Sequence, residues 1–234
     1  MIPENLEKSI ENLYSTFSQY EISSKIVGCP CCVSDRDKEK IHSKELRDLQ
    51  EEDLSRYAFK ALTTFGNVND FKHFLPRILE LLVDDNLGVS TFVIFGKLEY
   101  GSWKNWESEE QEAIKIFLFE WWKYFLERQS YFDKDLFYGI YKLTKNIDKL
   151  LQIWKIDITQ NNFVVYVDFL KYYYQDFINE NDEFKDFNEI DDDKFLKWIK
   201  ENAKHLEAGF YHYENKDQRF AREISDALYV FEHS

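Results

Sequence analysis

The sequence predicts an all-α fold: an irregular stack of antiparallel helix pairs, HEAT-like in outline, in a single compact domain. Three observations point there. Only 7 Gly and 3 Pro punctuate 234 residues, too few for the many tight turns of an all-β chain. Apolar residues make up 44% of the sequence, ample for a continuous core, and they recur at spacings of three and four, the period of one helix face. No residue pattern repeats at a fixed interval, so the helix pairs are expected to differ from one another. The organisation expected is a main body over 1–178 with an irregular cysteine loop at 23–44, an acidic connection at 179–193, and a helix pair at 194–234 packing on the body.

Element by element, Leu6, Ile10, Leu13, Tyr14 and Phe17 share one face of an opening helix, with Pro3 suited to its start. Periodicity fails from Ser23 to Lys44, where Gly28, Pro30 and the cysteines make one long loop ending in the charged run Ser34 to Lys40. Leu54, Tyr57, Ala58, Ala61, Leu62 and Phe65 then form a stripe, with Gly66 placed to cap it in the left-handed conformation. Asn67 and Asn69 restart the chain into a helix carrying Phe71, Phe74, Leu75, Ile78, Leu79 and Leu82, which Pro76 should kink or restart. Val89 to Tyr100 has strand-like composition, but a lone strand has no ladder partner, so a short helix is predicted.

Ser108 to Arg128 opens with a Ser-x-x-Gln capping pattern and acidic residues in its first turn, and its stripe from Ile114 to Leu126 is wide enough to face two neighbours. Shorter helices are expected at Lys134 to Thr144 and Ile147 to Lys155, and a longer one from about Gln160 to Phe177. The acidic stretch Asn179 to Asp193 reads as an exposed connection. Two amphipathic helices close the chain, from about Lys194 to Tyr213 and from Asp217 to Phe231.

A net charge of −14 disfavours phosphate backbones and hence nucleic acid. A basic protein or a cation is the better electrostatic match, while solubility is the plainer use of such a surface. No apolar stretch approaches the roughly 20 residues of a membrane span, and MIPENLEKSIENL lacks a basic segment followed by an apolar run. The three cysteines, Cys29, Cys31 and Cys32, sit together and cannot staple distant parts of the fold. A reducing cytoplasm, with no membrane association, is the expected location.

Those cysteines are the one local constellation with reactive potential. Cys29 and Cys32 have the spacing that turns two thiolates toward one ion, and Cys31 and His42 are the nearest further ligands, so the candidate metal set is Cys29, Cys31, Cys32 and His42, with zinc as the ion. A closed zinc site takes four ligands, and the remaining histidines, His73, His205, His212 and His233, lie far along the chain. A redox pair would want a helix N-terminus in a βαβ setting, which is not visible. The plainer alternative is small thiols with no chemical role and no cofactor at all.

Carboxylates are too abundant for any pair to mark acid and base catalysis, and no HExxH, GxSxG, P-loop, dinucleotide or EF-hand pattern appears. Arg56, Lys60, His73 and Arg77 interleave with the apolar faces of the 54–82 hairpin, where snorkelling or a buried ion pair is the structural expectation.

The Cys-Pro-x-Cys segment, the run LRDLQEEDLSRYAFKALTTFGNVNDFKHFLPRILELL from Leu46 to Leu82, and the closing REISDALYVFEH together resemble a bacterial protein family to which no activity is attached. The resemblance spans most of the chain and is most specific over Tyr57 to Leu82. It implies a cysteine segment followed by a helical hairpin and carries over no site residue; Cys31 at the variable position leaves three thiols rather than two.

The function expected is a non-enzymatic interaction module whose acidic surface binds another, basic protein, in one specific form an immunity-type protein neutralising a basic toxin. The alternative is a zinc-binding or thiol-dependent enzyme centred on the Cys29 to Cys32 loop.

Overall fold

Most of the apolar stripes that recur at three and four lie on helices, and the fold is all-α. The computed structural model describes residues 2–23, 25–179 and 187–234, and among these there is no strand, only two isolated bridges joining Gly28 and Ala61 to Phe65. The chain divides into two compact units, Met1–Trp121 and Trp122–Ser234.

In the first unit, α1 (Glu4–Phe17) buries Leu6, Ile10, Leu13 and Phe17 against α4 (Val68–Val83), each contributing about 1.5–3 kcal/mol by leaving water. The Tyr14 hydroxyl donates to Glu80 at 2.6 Å, and Arg77 pairs with the same carboxylate at 2.7 Å, which ties the two helices together above their apolar seam. The expected irregular charged run is instead a helix, α2 (Asp35–Ile41). Its reason is a capping box: Ser34 accepts from the Asp37 N–H while the Asp37 carboxylate accepts from the Ser34 N–H.

The next helix, α3 (Glu51–Lys60), stops short of the position expected. Leu62, not Gly66, is the first residue with positive φ, at 66°, and Gly66 follows at 72° in the connection. The chain leaves the helix there because residues 61–66 are drawn onto the cysteine loop, with the Gly66 N–H donating to the Val27 carbonyl at 2.7 Å. Asn67 caps α4 as expected, in a reciprocal box with Asp70. That helix runs unbroken through Pro76 rather than restarting at it; only the bond from residue 76 to the residue 72 carbonyl is given up.

Val89 to Tyr100 does form a helix, α5 (Thr91–Tyr100). The long helix α6 (Ser108–Arg128) has the bounds predicted but a capping register one residue earlier. Glu110, not Gln111, accepts from the N–H of the residue three before it, Glu107, while the Gln111 amide donates to the Lys104 and Trp106 carbonyls.

Glu110 has a second role that the sequence did not disclose. Its carboxylate is 1% exposed and lies 2.6 Å from the Lys72 ammonium, itself boxed by the Trp106 and Tyr20 rings at 4.5 and 4.7 Å. The Tyr20 hydroxyl bonds to both ions. Buried charge is tolerated here because every formal charge has an opposite partner and further hydrogen bonds. Trp103, Trp106 and Trp121 are all buried in this unit.

The second unit is built on rings. After α6 come α7 (Lys134–Thr144), α8 (Ile147–Ile153), α9 (Asn161–Tyr172), α10 (Tyr174–Ile178), α11 (Glu189–Asn202), α12 (Lys204–Tyr213) and α13 (Gln218–His233). Trp154 stacks on Phe132 at 5.6 Å and meets Trp122 edge-on at 5.5 Å and Trp198 at 5.0 Å, a network in which offset and edge contacts add about 0.5–1.5 kcal/mol per pair beyond burial. The helix expected over 160–177 breaks at Tyr173, and the one expected from Lys194 begins five residues earlier at Glu189 and ends at Asn202. Residues 180–186 of the predicted acidic connection lie outside the described residues. Its described end is the first turn of α11, where Asn188 caps the helix and acidic groups complement the helix dipole.

Two close approaches fix the last helices. Gly209 on α12 lets the Phe163 ring of α9 come so near that a Cβ there would sit 2.3 Å from its Cζ, and α13 packs along both α9 and α12. Among the described residues no helix is long and apolar enough to cross a membrane.

Candidate metal centre

The cysteine loop is a fixed turn rather than a free strand of chain. The Cys29 carbonyl accepts from both the Cys32 and Val33 N–H groups at 2.9 Å, closing one helical turn around Pro30, which has no N–H to give. The Cys29 N–H donates to the Thr64 carbonyl at 2.8 Å, so the turn hangs on the connection between α3 and α4. Gly28 is needed for this path: a Cβ there would lie 2.7 Å from the Cβ of Val33, which is 5% exposed and has no room to move. At the other end the Cys32 carbonyl accepts from the Lys60 ammonium at 2.6 Å and from Arg56 at 3.1 Å, and Arg56 is held in turn by Asp37 at 2.9 Å. Two cations of α3 thus stand directly behind the turn.

Its winding brings the thiols to one side. Cys29 Sγ lies 2.9 Å from Cys31 Sγ, Cys31 Sγ lies 3.4 Å from Cys32 Sγ, and all three fall within 4.8 Å of one another. Cys31 is exposed and the other two are half-buried, so the group opens to solvent. The Cys31 thiol hydrogen bond holds Cys29 below the ordinary thiol range, helped by the Cys31 backbone. Cys31 itself is pushed up to about 11, first by its hydrogen bond to Cys29 and then by that to Cys32. The neighbouring S–H thus favours a thiolate at Cys29 relative to an isolated cysteine, and a thiolate is the form that ligates metals or attacks electrophiles.

His42 sits apart from that group. Its Nδ1 is 2.7 Å from the Lys38 carbonyl and its Nε2 is 3.1 Å from the Ser23 carbonyl, so both ring nitrogens face acceptors. Of the predicted set, the structure brings together Cys29, Cys31 and Cys32, and His42 is not among the ligand atoms so grouped. A cleft of about 560 Å³ lies beside the loop, lined by Lys25, Ile26, Val27, Gly28, Lys38, Glu39 and His42, and by none of the three sulfurs.

Other residues singled out in the sequence have structural roles. Arg77 pairs with Glu80 and donates to the Leu49 carbonyl, and His73 bonds the Tyr20 carbonyl at 2.7 Å. Sequence reasoning missed that Arg56 and Lys60, one helical turn apart on α3, converge on a single carbonyl of the cysteine turn. Their spacing was visible and their target was not.

Comparison with known proteins gives no match among protein-family models, curated proteins or solved structures.

Proposed function

We propose that this chain is a non-enzymatic helical interaction module that binds a protein with a basic surface, in its most specific form an immunity-type protein that neutralises a basic toxin. The observation that carries this reading is how the acidic helix starts divide their work. In α3, α6 and α11 one carboxylate of the first turn is buried and bonded within the fold, namely Asp53, Glu110 and Asp191. Its neighbours Glu51, Glu52, Glu109, Glu189 and Asp193 are left in water. At these three helix starts one carboxylate serves the fold and its neighbours stay at the surface, in a chain whose net charge is −14. A surplus of that kind steers association with a cationic partner and makes it salt-dependent.

The test is binding of the protein encoded by the adjacent gene, measured by calorimetry at low and at physiological salt. A complex is expected at low salt, weakened at least tenfold by Glu51→Lys with Glu52→Lys or by added salt. A chain that stays monomeric and unbound with that neighbour at low salt overturns the reading.

The second reading, a zinc-binding or thiol-dependent enzyme on the Cys29 to Cys32 loop, is favoured by the convergence of the three sulfurs. Its metal-binding half has the stronger support, because the neighbouring cleft is lined by other residues than the thiols. Iodoacetamide labelling followed by an activity survey tests the enzymatic half.

A further inference from the structure

We infer that Cys29, Cys31 and Cys32 form a three-sulfur site for a single soft, thiophilic metal ion of low coordination number, Cu(I) being the representative, and that His42 takes no part in it. The inference rests on the metal-binding half of the second reading and is independent of the acidic-surface reading, since it concerns different residues and a different ligand.

Geometry comes first. Around one ion at a metal–sulfur distance of about 2.3 Å, three thiolates in a plane stand about 4 Å apart. The sulfurs here are 2.9 and 3.4 Å apart along the chain and none is more than 4.8 Å from another. Spreading them by about 1 Å or less therefore seats an ion. The backbone that carries them is pinned at Thr64, at Lys60 and by the Gly28 to Val33 contact, so the site is largely formed before the ion arrives.

Ligand count comes second. A structural zinc ion takes four ligands, and no further Cys, His, Asp or Glu joins the three sulfurs among the described residues. His42, nearest in sequence, would have to give up both of its carbonyl contacts to turn toward them. Soft thiolate-only sets select Cu(I) over ions that want nitrogen or oxygen ligands.

Charge comes third. One Cu(I) with three thiolates carries a net charge of −2, and the Lys60 ammonium and Arg56 guanidinium both donate to the carbonyl of one of the three ligand residues. That is the outer shell a negative metal–thiolate centre calls for, in a protein otherwise rich in acid. On binding, each ligating thiol gives up its proton and the copper keeps its oxidation state; nothing is oxidised or reduced.

Anaerobic titration of the full chain with Cu(I), in competition with a chromophoric Cu(I) chelator, tests this. One equivalent is expected, with copper–thiolate charge-transfer absorption, and each of Cys29→Ser, Cys31→Ser and Cys32→Ser should weaken it at least tenfold while circular dichroism stays unchanged. His42→Ala should bind as the parent does, and zinc should bind at least a hundredfold more weakly than Cu(I). Retention of Cu(I) by the triple serine variant, loss on His42→Ala, or zinc held as tightly as copper overturns the inference. Failure of all metal binding overturns it together with the metal-binding reading, and leaves the acidic-surface reading to its own test.

Discussion

Replacing Lys72 with methionine removes a buried cation and little else, because the methionine stem can still pack between the Trp106 and Tyr20 rings. At 2.6 Å and an effective dielectric of about 20, the attraction between Lys72 and Glu110 is about 6 kcal/mol. Desolvating the two ions costs several kcal/mol each, so the pair contributes little net stability. Removing one partner is a different matter: Glu110, 1% exposed, keeps its desolvation cost and loses its counter-ion, a penalty of about 3–5 kcal/mol. Lys72→Met should therefore lower the urea midpoint of the first unit by about 2–3 M, taking a slope of about 1.5 kcal/mol per M. The double variant Lys72→Met with Glu110→Gln, which removes both charges and keeps a group to accept from the Glu107 N–H, should recover most of that loss. Urea denaturation followed by tryptophan emission measures both. A loss under about 1 kcal/mol for the single variant, or a double variant no better than the single, would show that the pair is not buried as described.

Two further outcomes follow from the packing. Gly209→Ala should destabilise by about 1–3 kcal/mol despite the roughly 1 kcal/mol that alanine gains over glycine in a helix, because its Cβ meets the fully buried Phe163 ring. Gly96→Ala, exposed on α5 with nothing within 4 Å of a new Cβ, should instead stabilise by about 0.5–1 kcal/mol, and thermal denaturation of the two side by side would refute the packing argument if the order reversed. Burial pushes Tyr57 and Tyr138 well above the ordinary phenol value of 10.0, and Tyr141 up to about 12 by burial and then its bond to Asp191. A raised folded value means the native state holds the proton more tightly, so this stability is complete below pH 10 and is lost as pH rises toward 12. Phenolate absorbance from these rings should appear with unfolding, not before it, in an alkaline titration.

Local signals carried most of the fold. The apolar stripes and the restart at Asn67 are each written within a few residues, and the helices they announce are present. What the stripes could not show is where helices stop. α3 ends before Gly66 because Gly28 and Val27 hold residues 65 and 66 from far along the chain, and a tertiary contact of that kind leaves no local trace. The helix over Asp35–Ile41 was legible in principle, since Ser34 and Asp37 are a capping box, but its polar surface hides it from a search by apolar period. At the candidate centre, the three cysteines could be read from spacing. The carbonyl that occupies His42 Nε2 comes from 19 residues away, and the Lys60 and Arg56 contacts to Cys32 span 28 and 24 residues, beyond any motif.

The six tryptophans are shared equally between the two units, Trp103, Trp106 and Trp121 in one and Trp122, Trp154 and Trp198 in the other. Intrinsic emission is thus a balanced reporter of a two-part molecule, and it can be made selective. With the last three indoles replaced by phenylalanine, the signal belongs to residues 1–121 alone; with the first three replaced, it follows 122–234. The adjacent indoles at 121 and 122 fall on opposite sides of the division in sequence, so a chain retaining only that pair carries one buried indole in each half. Its spectrum would tell whether the two halves let water in together or in turn.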